Sequence, residues 1–372
     1  MKVEQRSYNL GKWSSEEVNN TPQLVLVFIS SEFLQDTTVY NSLKWFYPKS
    51  DIVIVSTYWE IMGSNIFDET ISVSALTFDK AYIRAISWEV NQVEDSFKVA
   101  SELAKNLLKD DLKHILVFSD GLSVNGTELI AGMKSILPKN IWVTWWLAWD
   151  NPDSIKNTYT WLNSFSVEKN NIVMIWFYGD AIKISSCSSS WWTKFGMKRI
   201  ITKSKWNILY EFDGKPALDL YKEYLWEKSW VYFPIPISIF DKDENKAVVR
   251  TLLKINEEDK SIIFSADVPQ GYSAYFMKSN YDDLIQGAWN SAKEAYKINS
   301  HPELAFLISC VSRKIVLRQR VEEELDAICN VIWKDCKIAG FYSYGEIGNN
   351  INIDPDYFLH NQTMTTTLIS ED

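Results

Sequence analysis

Leu24-Val-Leu-Val-Phe-Ile-Ser30 and Asp51-Ile-Val-Ile-Val-Ser-Thr57 are short, continuous apolar runs separated by a stretch of helical length. Apolar runs of strand length without alternation are what a strand buried on both faces requires, so the segment reads as strand, helix, strand. The order returns at about His114 to Asp120 (HILVFSD), a helical stretch ending near Leu137, and Ile141 to Thr144. It returns once more at Leu304 to Cys310 (LAFLISC), an amphipathic stretch from about Arg318 to Ile332, and Lys337 to Tyr342. Three copies predict an α/β fold of mixed α+β type, with internal strand-helix-strand repeats, packed sheets in the middle and helices outside.

The first and last copies also agree in detail. Thr57-Tyr58-Trp59-Glu60-Ile61 aligns with Ser343-Tyr344-Gly345-Glu346-Ile347, and each is followed by a polar loop and an alternating Thr/Ser-rich strand, ETISVSALTF from Glu69 and NQTMTTTLI from Asn361. The chain therefore reads as two pseudo-symmetric halves, 1–203 and 204–372. The second opens with a helix near Pro216 to Leu225, continues through three strand-like runs, and carries a long helix from about Tyr281 to Ile298.

A chain of 372 residues with 46% hydrophobic content buries a substantial core without staples. Its four cysteines, Cys187, Cys310, Cys329 and Cys336, lack the paired spacing of a structural zinc site and read as reduced thiols. The net charge of -10 repels phosphate backbones, which argues against nucleic acid as a partner. The opening MKVEQRSYNLGKW has no secretory core, and no stretch reaches the roughly 18 to 20 apolar residues of a membrane span, so a cytoplasmic location without membrane insertion is expected.

The ordered set STYWEI, VFSDG, VTWWLAWD, FYGD, LYEFDGKPALDLYKEYL, SCVSRK, GFYSYGEIG and FLHNQTMT resembles the FIST domain, N-terminal and C-terminal parts together. The resemblance covers nearly the whole chain. It implies a stand-alone bacterial sensor module of signal transduction, non-catalytic, with a small ligand such as an amino acid and a partner such as a histidine kinase. It also raises haem as a cofactor, since some stand-alone members sense nitric oxide through it.

The chain departs from this pattern systematically. It holds 17 Trp against 13 Gly, and Trp59, Trp145, Trp146, Trp149, Trp191 and Trp192 stand where the family pattern has glycine. The repeat says the same, because Trp59 aligns with Gly345. A tight turn that needs positive φ penalises tryptophan by about 1 to 2 kcal/mol per site. A UGA codon read as tryptophan where the source organism inserts glycine accounts for the pattern and restores glycine to near its usual share of about 7%. The alternative is a natural set of aromatic cages for a cationic ligand.

Candidate ligand contacts lie at strand ends, where open α/β sheets bind ligands. Tyr58 with Glu60, and Tyr344 with Glu346, are suited to an amine, or else to capping a turn. Asp120 ends a strand and Asp150 closes the loop of VTWWLAWD, and both are suited to the same cleft or to Asx-turns. Lys215 and Arg313 are the candidates for a ligand carboxylate or haem propionates, against the plain reading of solvated cations. His360, beside Asn361 in FLHNQT, is the candidate haem ligand, against a hydrogen-bonded structural imidazole; it is the only metal-ligating residue expected, and only with haem. The rival class is an enzyme using Cys310 as nucleophile, although no nucleophile-elbow, zinc-protease or catalytic-cysteine signature accompanies it.

Overall fold

A computed structural model describes the chain except residues 121–123, 149–157, 165–169, 191, 226–234, 242–246, 333, 344 and 351–353. For Trp145, Leu147, Leu225, 346–350 and 354–360 it describes the backbone alone. The strand Leu24–Ser30 is buried along its whole length. It runs parallel to Asp51–Thr57 and, on its other side, antiparallel to Ile71–Thr77, which in turn pairs with Lys2–Asn9. The crossover is the helix Thr37–Phe46, started by Asp36, whose carboxylate accepts the Thr38 N–H at 2.9 Å. Val39, Tyr40, Leu43 and Phe46 face the sheet at helical spacing.

Two further sheets repeat this order. Leu112–Ser119 is parallel to Trp142–Leu147 and antiparallel to Asn171–Tyr178, with Tyr82–Glu89 beyond it. Leu304–Cys310 is parallel to Lys337–Ser343 and antiparallel to Met364–Glu371, with Ile182–Ser189 beyond. Helices Ser96–Leu107 and Gly126–Lys134 cover the outside of the second sheet, and Tyr281–Ile298 and Val321–Cys329 that of the third. The helix expected from about Arg318 to Ile332 runs over Val321–Cys329, and a separate short helix, Val311–Leu317, precedes it and ends at Arg318, whose φ is +51°.

The sheets are interlocked in a cycle. After its parallel pair, the chain leaves its own sheet each time and adds a strand to the next. Trp59–Met62 joins Lys337–Ser343 on the third sheet, Glu346–Asn350 joins Trp142–Leu147 on the second, and Thr160–Leu162 joins Asp51–Thr57 on the first. Strands from both sides of position 203 thus share the second and third sheets. The inner faces of all three meet in one core, where Phe306 lies 5.4 Å from Phe28, 6.2 Å from Phe118 and 4.8 Å from Trp146, ring centre to ring centre. Each such buried ring contributes on the order of 1.5–3 kcal/mol, so the three sheets stabilise one another through it.

Each sheet also ties down the end of its central strand in one way. The N–H groups of Ser30, Asp120 and Cys310 donate to the carbonyls of Thr70, Asn171 and Thr363, at 3.1, 3.0 and 3.0 Å. The residue before each acceptor, Glu69, Asn170 or Gln362, is left-handed, with φ of +53°, +57° and +65°. Residues 361–363 are consequently a turn, and the strand expected from Asn361 begins at Met364.

A fourth sheet, built from strands between Thr193 and Lys278, has its own core around Phe212, Phe264, Phe276 and the helix Ala217–Leu225. It reaches the first three sheets through Ala266, which packs in the core beneath helices Ser96–Leu107 and Gly126–Lys134, and through hydrogen bonds to the 361–363 turn.

Candidate functional site

The parallel strands end in three places, and the end belonging to the third sheet is the one the fourth sheet covers. Ser265 on the fourth sheet donates to Asn361 Oδ1 at 2.5 Å, and Gln362 Nε2 donates to Thr251 Oγ1 at 3.0 Å. The Trp192 indole N–H, at the entry to the fourth sheet, donates to the Gln362 carbonyl at 3.3 Å. Asn361, Gln362, Thr363, Thr251 and Arg250 are all buried. Gln362 Oε1 has no hydrogen-bond partner among the described residues. Arg250 holds the carbonyls of Asp267 and Val249 through Nε and Nη1, and its burial lowers its pKa to about 10. The result is a polar, desolvated junction between two sheet systems.

Beneath the turn lies a second buried network. Arg313 binds Glu324 Oε1 through Nε at 2.6 Å and Nη2 at 2.5 Å, and donates to the Leu284 carbonyl at 2.7 Å. Ser309 and Tyr342 donate to the other Glu324 oxygen at 3.0 and 3.2 Å. Burial, reinforced by the Glu324 carboxylate, pushes the Tyr342 phenol up. Arg313, expected to meet a ligand carboxylate, is instead matched in charge inside the fold and has no accessible surface. The other candidate, Lys215, lies exposed beside the Gly214 turn of the fourth sheet.

Glu60 and Glu346 occupy corresponding register positions, Glu60 opposite Phe341 on the third sheet and Glu346 opposite Trp146 on the second. The cyclic exchange puts them on different sheets. Glu60 is fully buried and accepts from Thr57 Oγ1 and Thr70 Oγ1, each at 2.7 Å. Burial raises its pKa to about 7 against the opposing pull of those two hydroxyls. Tyr58 packs on Trp59 at 4.7 Å. Asp120 is buried and accepts the Thr158 hydroxyl and the Asn170 N–H, so it holds the strand end together. Tyr344 and Asp150 lie outside the described residues.

His360 pairs with Glu346 across the edge strand and leads directly into Asn361, which places its backbone at the junction; its side chain lies outside the described residues. His114 is sealed in the core with Nε2 2.9 Å from Thr144 Oγ1, and burial holds it neutral with a pKa of about 3. Among the described residues no group of three His, Cys, Asp or Glu is arranged to hold a metal ion. The junction thus gathers Asn361, the backbone of His360 and Glu346, and, beneath them, Arg313. It adds Gln362, Arg250 and Thr251, which sequence reasoning missed because nothing in NQT or VVRT announces a left-handed turn or the sheet that covers it.

Of the tryptophans at glycine-pattern positions, Trp59 and Trp146 are strand residues, which need no positive φ. Outside that set, Trp206, at the hairpin between Thr193–Lys205 and Ile208–Phe212, takes φ of +54°. Trp149 and Trp191 lie outside the described residues.

This is an α/β protein with a buried polar strand-end junction closed by a second sheet system. The FIST N domain matches residues 23–215 and the FIST C domain residues 217–349, and the chain belongs to the FIST family, a sensor-type family of signal transduction. It is similar to the uncharacterized protein MJ1623 of Methanocaldococcus jannaschii, with 22% identity over 376 residues covering 87% of this chain and 69% of that one. No described helix is long and apolar enough to cross a membrane.

Proposed function

We propose that this protein is a non-catalytic, cytoplasmic sensor that binds a small amino-acid-like ligand at the junction between the 361–363 turn and the fourth sheet. A partner protein, most simply a histidine kinase, reads the result. The observation that carries this is the junction itself: buried polar groups, a buried arginine charge and a tie of three side-chain hydrogen bonds between separate sheet systems. A ligand that binds one arrangement of these sheets better than another shifts their populations, and a coupling of about 1–3 kcal/mol is enough for a five- to hundredfold response. Cys310 does not favour catalysis, because it is buried at the end of a core strand.

The test is isothermal calorimetry of the purified protein with each of the proteinogenic L-amino acids. Saturable binding by a subset supports the reading, and no binding by any of them defeats it. The adjacency of His360 to the junction keeps a second reading: if added haem gives a sharp Soret band that His360→Ala abolishes, the module is a haem-based gas sensor.

A further inference from the structure

Between the outer face of the first sheet and the start of its crossover helix lies a cavity of about 310 Å³. Ile29, Ile54 and Trp161 form its sheet wall and Val39, Tyr40 and Leu43 its helix wall, all of them buried. Phe33 and Leu34, from the turn after strand Leu24–Ser30, enclose it further. It thus sits toward the C-terminal ends of a parallel strand pair, where open α/β sheets take their ligands. The Trp161 indole N–H donates to the Ser164 carbonyl at 3.2 Å, which spends the only polar atom of the ring, so what Trp161 adds to the wall is apolar.

The remaining lining is polar: Gln35, Asp36 and Thr37, of which Gln35 and Thr37 are exposed. Asp36 is the one charged residue of the lining. Its Oδ1 accepts the Thr38 hydroxyl at 2.5 Å and the Thr38 N–H at 2.9 Å, and these bonds hold its carboxyl below the usual carboxylate range. The Thr38 and Val39 N–H groups, which at an uncapped helix start attract an anion, already bond to Asp36.

We infer that this cavity binds a compact apolar amine, with an aromatic or branched hydrocarbon body between the sheet wall and the helix wall and an ammonium at Asp36. A cavity of about 150 Å³ lined by Leu, Ile and Phe takes benzene, so one of about twice that volume suits a molecule of roughly ten non-hydrogen atoms. Filling it exchanges solvent for packing against apolar walls. An ammonium complements the single lining charge, whereas a carboxylate there meets a like charge with no Lys or Arg in the lining to offset it. None of the lining residues belongs to the junction, so this inference does not rest on the amino-acid-sensing reading above.

The experiment titrates 2-phenylethylamine, 2-phenylethanol and 3-phenylpropionate by calorimetry into the native protein, Asp36→Asn and Val39→Phe. The native protein is expected to bind the amine saturably and about tenfold or more tighter than the carboxylate. Asp36→Asn keeps a good helix cap and is expected to keep binding the alcohol while the preference for amine over carboxylate falls to about twofold or less. Val39→Phe places a ring in the cavity and is expected to abolish binding of all three, with thermal unfolding confirming that it folds; should it not fold, the Asp36→Asn comparison decides. Absence of saturable binding by the native protein overturns the site. A carboxylate bound as tightly as the amine, a preference that survives Asp36→Asn, or binding that survives in folded Val39→Phe overturns the assignment as well.

Discussion

Arg313 and Glu324 form an ion pair in which neither side chain reaches solvent, with Nε and Nη2 at 2.6 and 2.5 Å from one carboxylate oxygen. Ser309, Tyr342 and the Leu284 carbonyl occupy other positions around the pair, so both charges are well supported. Removing one partner strands the other charge in the core. Arg313→Ala or Glu324→Ala is therefore expected to lower unfolding free energy by about 3–5 kcal/mol in urea titrations. The double variant Arg313→Met with Glu324→Leu is expected to lose much less, which would show that the pair specifies the arrangement more than it stabilises the fold.

Glu60 gives the stability a pH dependence of known sign. Its folded-state pKa is raised to about 7 from a reference of 4.5 by burial, with Asp68 adding to the rise and Lys314 the nearby cation. The folded state thus binds this proton more tightly than the unfolded chain does. Its contribution is fully favourable below about pH 4.5 and is lost as pH rises toward 7, amounting to about 3 kcal/mol over that window. Denaturation curves at stepped pH on native protein and Glu60→Gln should show that fall reduced in the variant.

Trp206 is 69% exposed and sits at φ of +54° in a hairpin turn. Glycine there removes a backbone penalty of about 1–2 kcal/mol and sacrifices little packing. Set against glycine's greater unfolded-state freedom of about 0.5–1 kcal/mol, Trp206→Gly is expected to raise the melting temperature modestly. Intact-mass analysis of protein from the source organism then decides whether position 206 and its fellows carry tryptophan at all.

Gly340 lies opposite Leu307 in the parallel pair of the third sheet, and a Cβ there would run into the Leu307 carbonyl. That obstacle is backbone, which cannot rotate aside. Gly340→Ala is expected to destabilise by about 1–3 kcal/mol, measurable by thermal unfolding.

The thiols offer a check on the non-enzymatic reading. Cys187, Cys310 and Cys336 are buried, and burial pushes the Cys336 thiol up to about 12. A colorimetric thiol reagent should reach at most the half-buried Cys329 in the folded protein and all four thiols after denaturation. Rapid, selective labelling of Cys310 would bring the nucleophile back.

Much of this molecule could be read from its residues. Runs such as LVLVFIS and LAFLISC lack any polar alternation, and only a strand covered on both faces tolerates that, so the buried strand pairs and their helices followed from the sequence. The long helix from about Tyr281 to Ile298 was legible as well, and the structure adds the Asn280 cap that starts it. The correspondence of Glu60 with Glu346 was visible too, because a shared turn motif carries the same register. What local pattern could not supply is where each edge strand goes. The pairing of Trp59–Met62 with Lys337–Ser343 joins residues far apart in the chain, and nothing near Trp59 encodes that choice. It emerges when three inner faces close on one core. The same closure neutralised Arg313 with Glu324, buried Gln362 under a sheet that begins at Thr193, and turned a surface-looking NQT into the floor of a junction. Backbone periodicity is a local property and the sequence determined it; burial, charge pairing and the matching of polar atoms are properties of the assembled whole, and only the tertiary structure decided them.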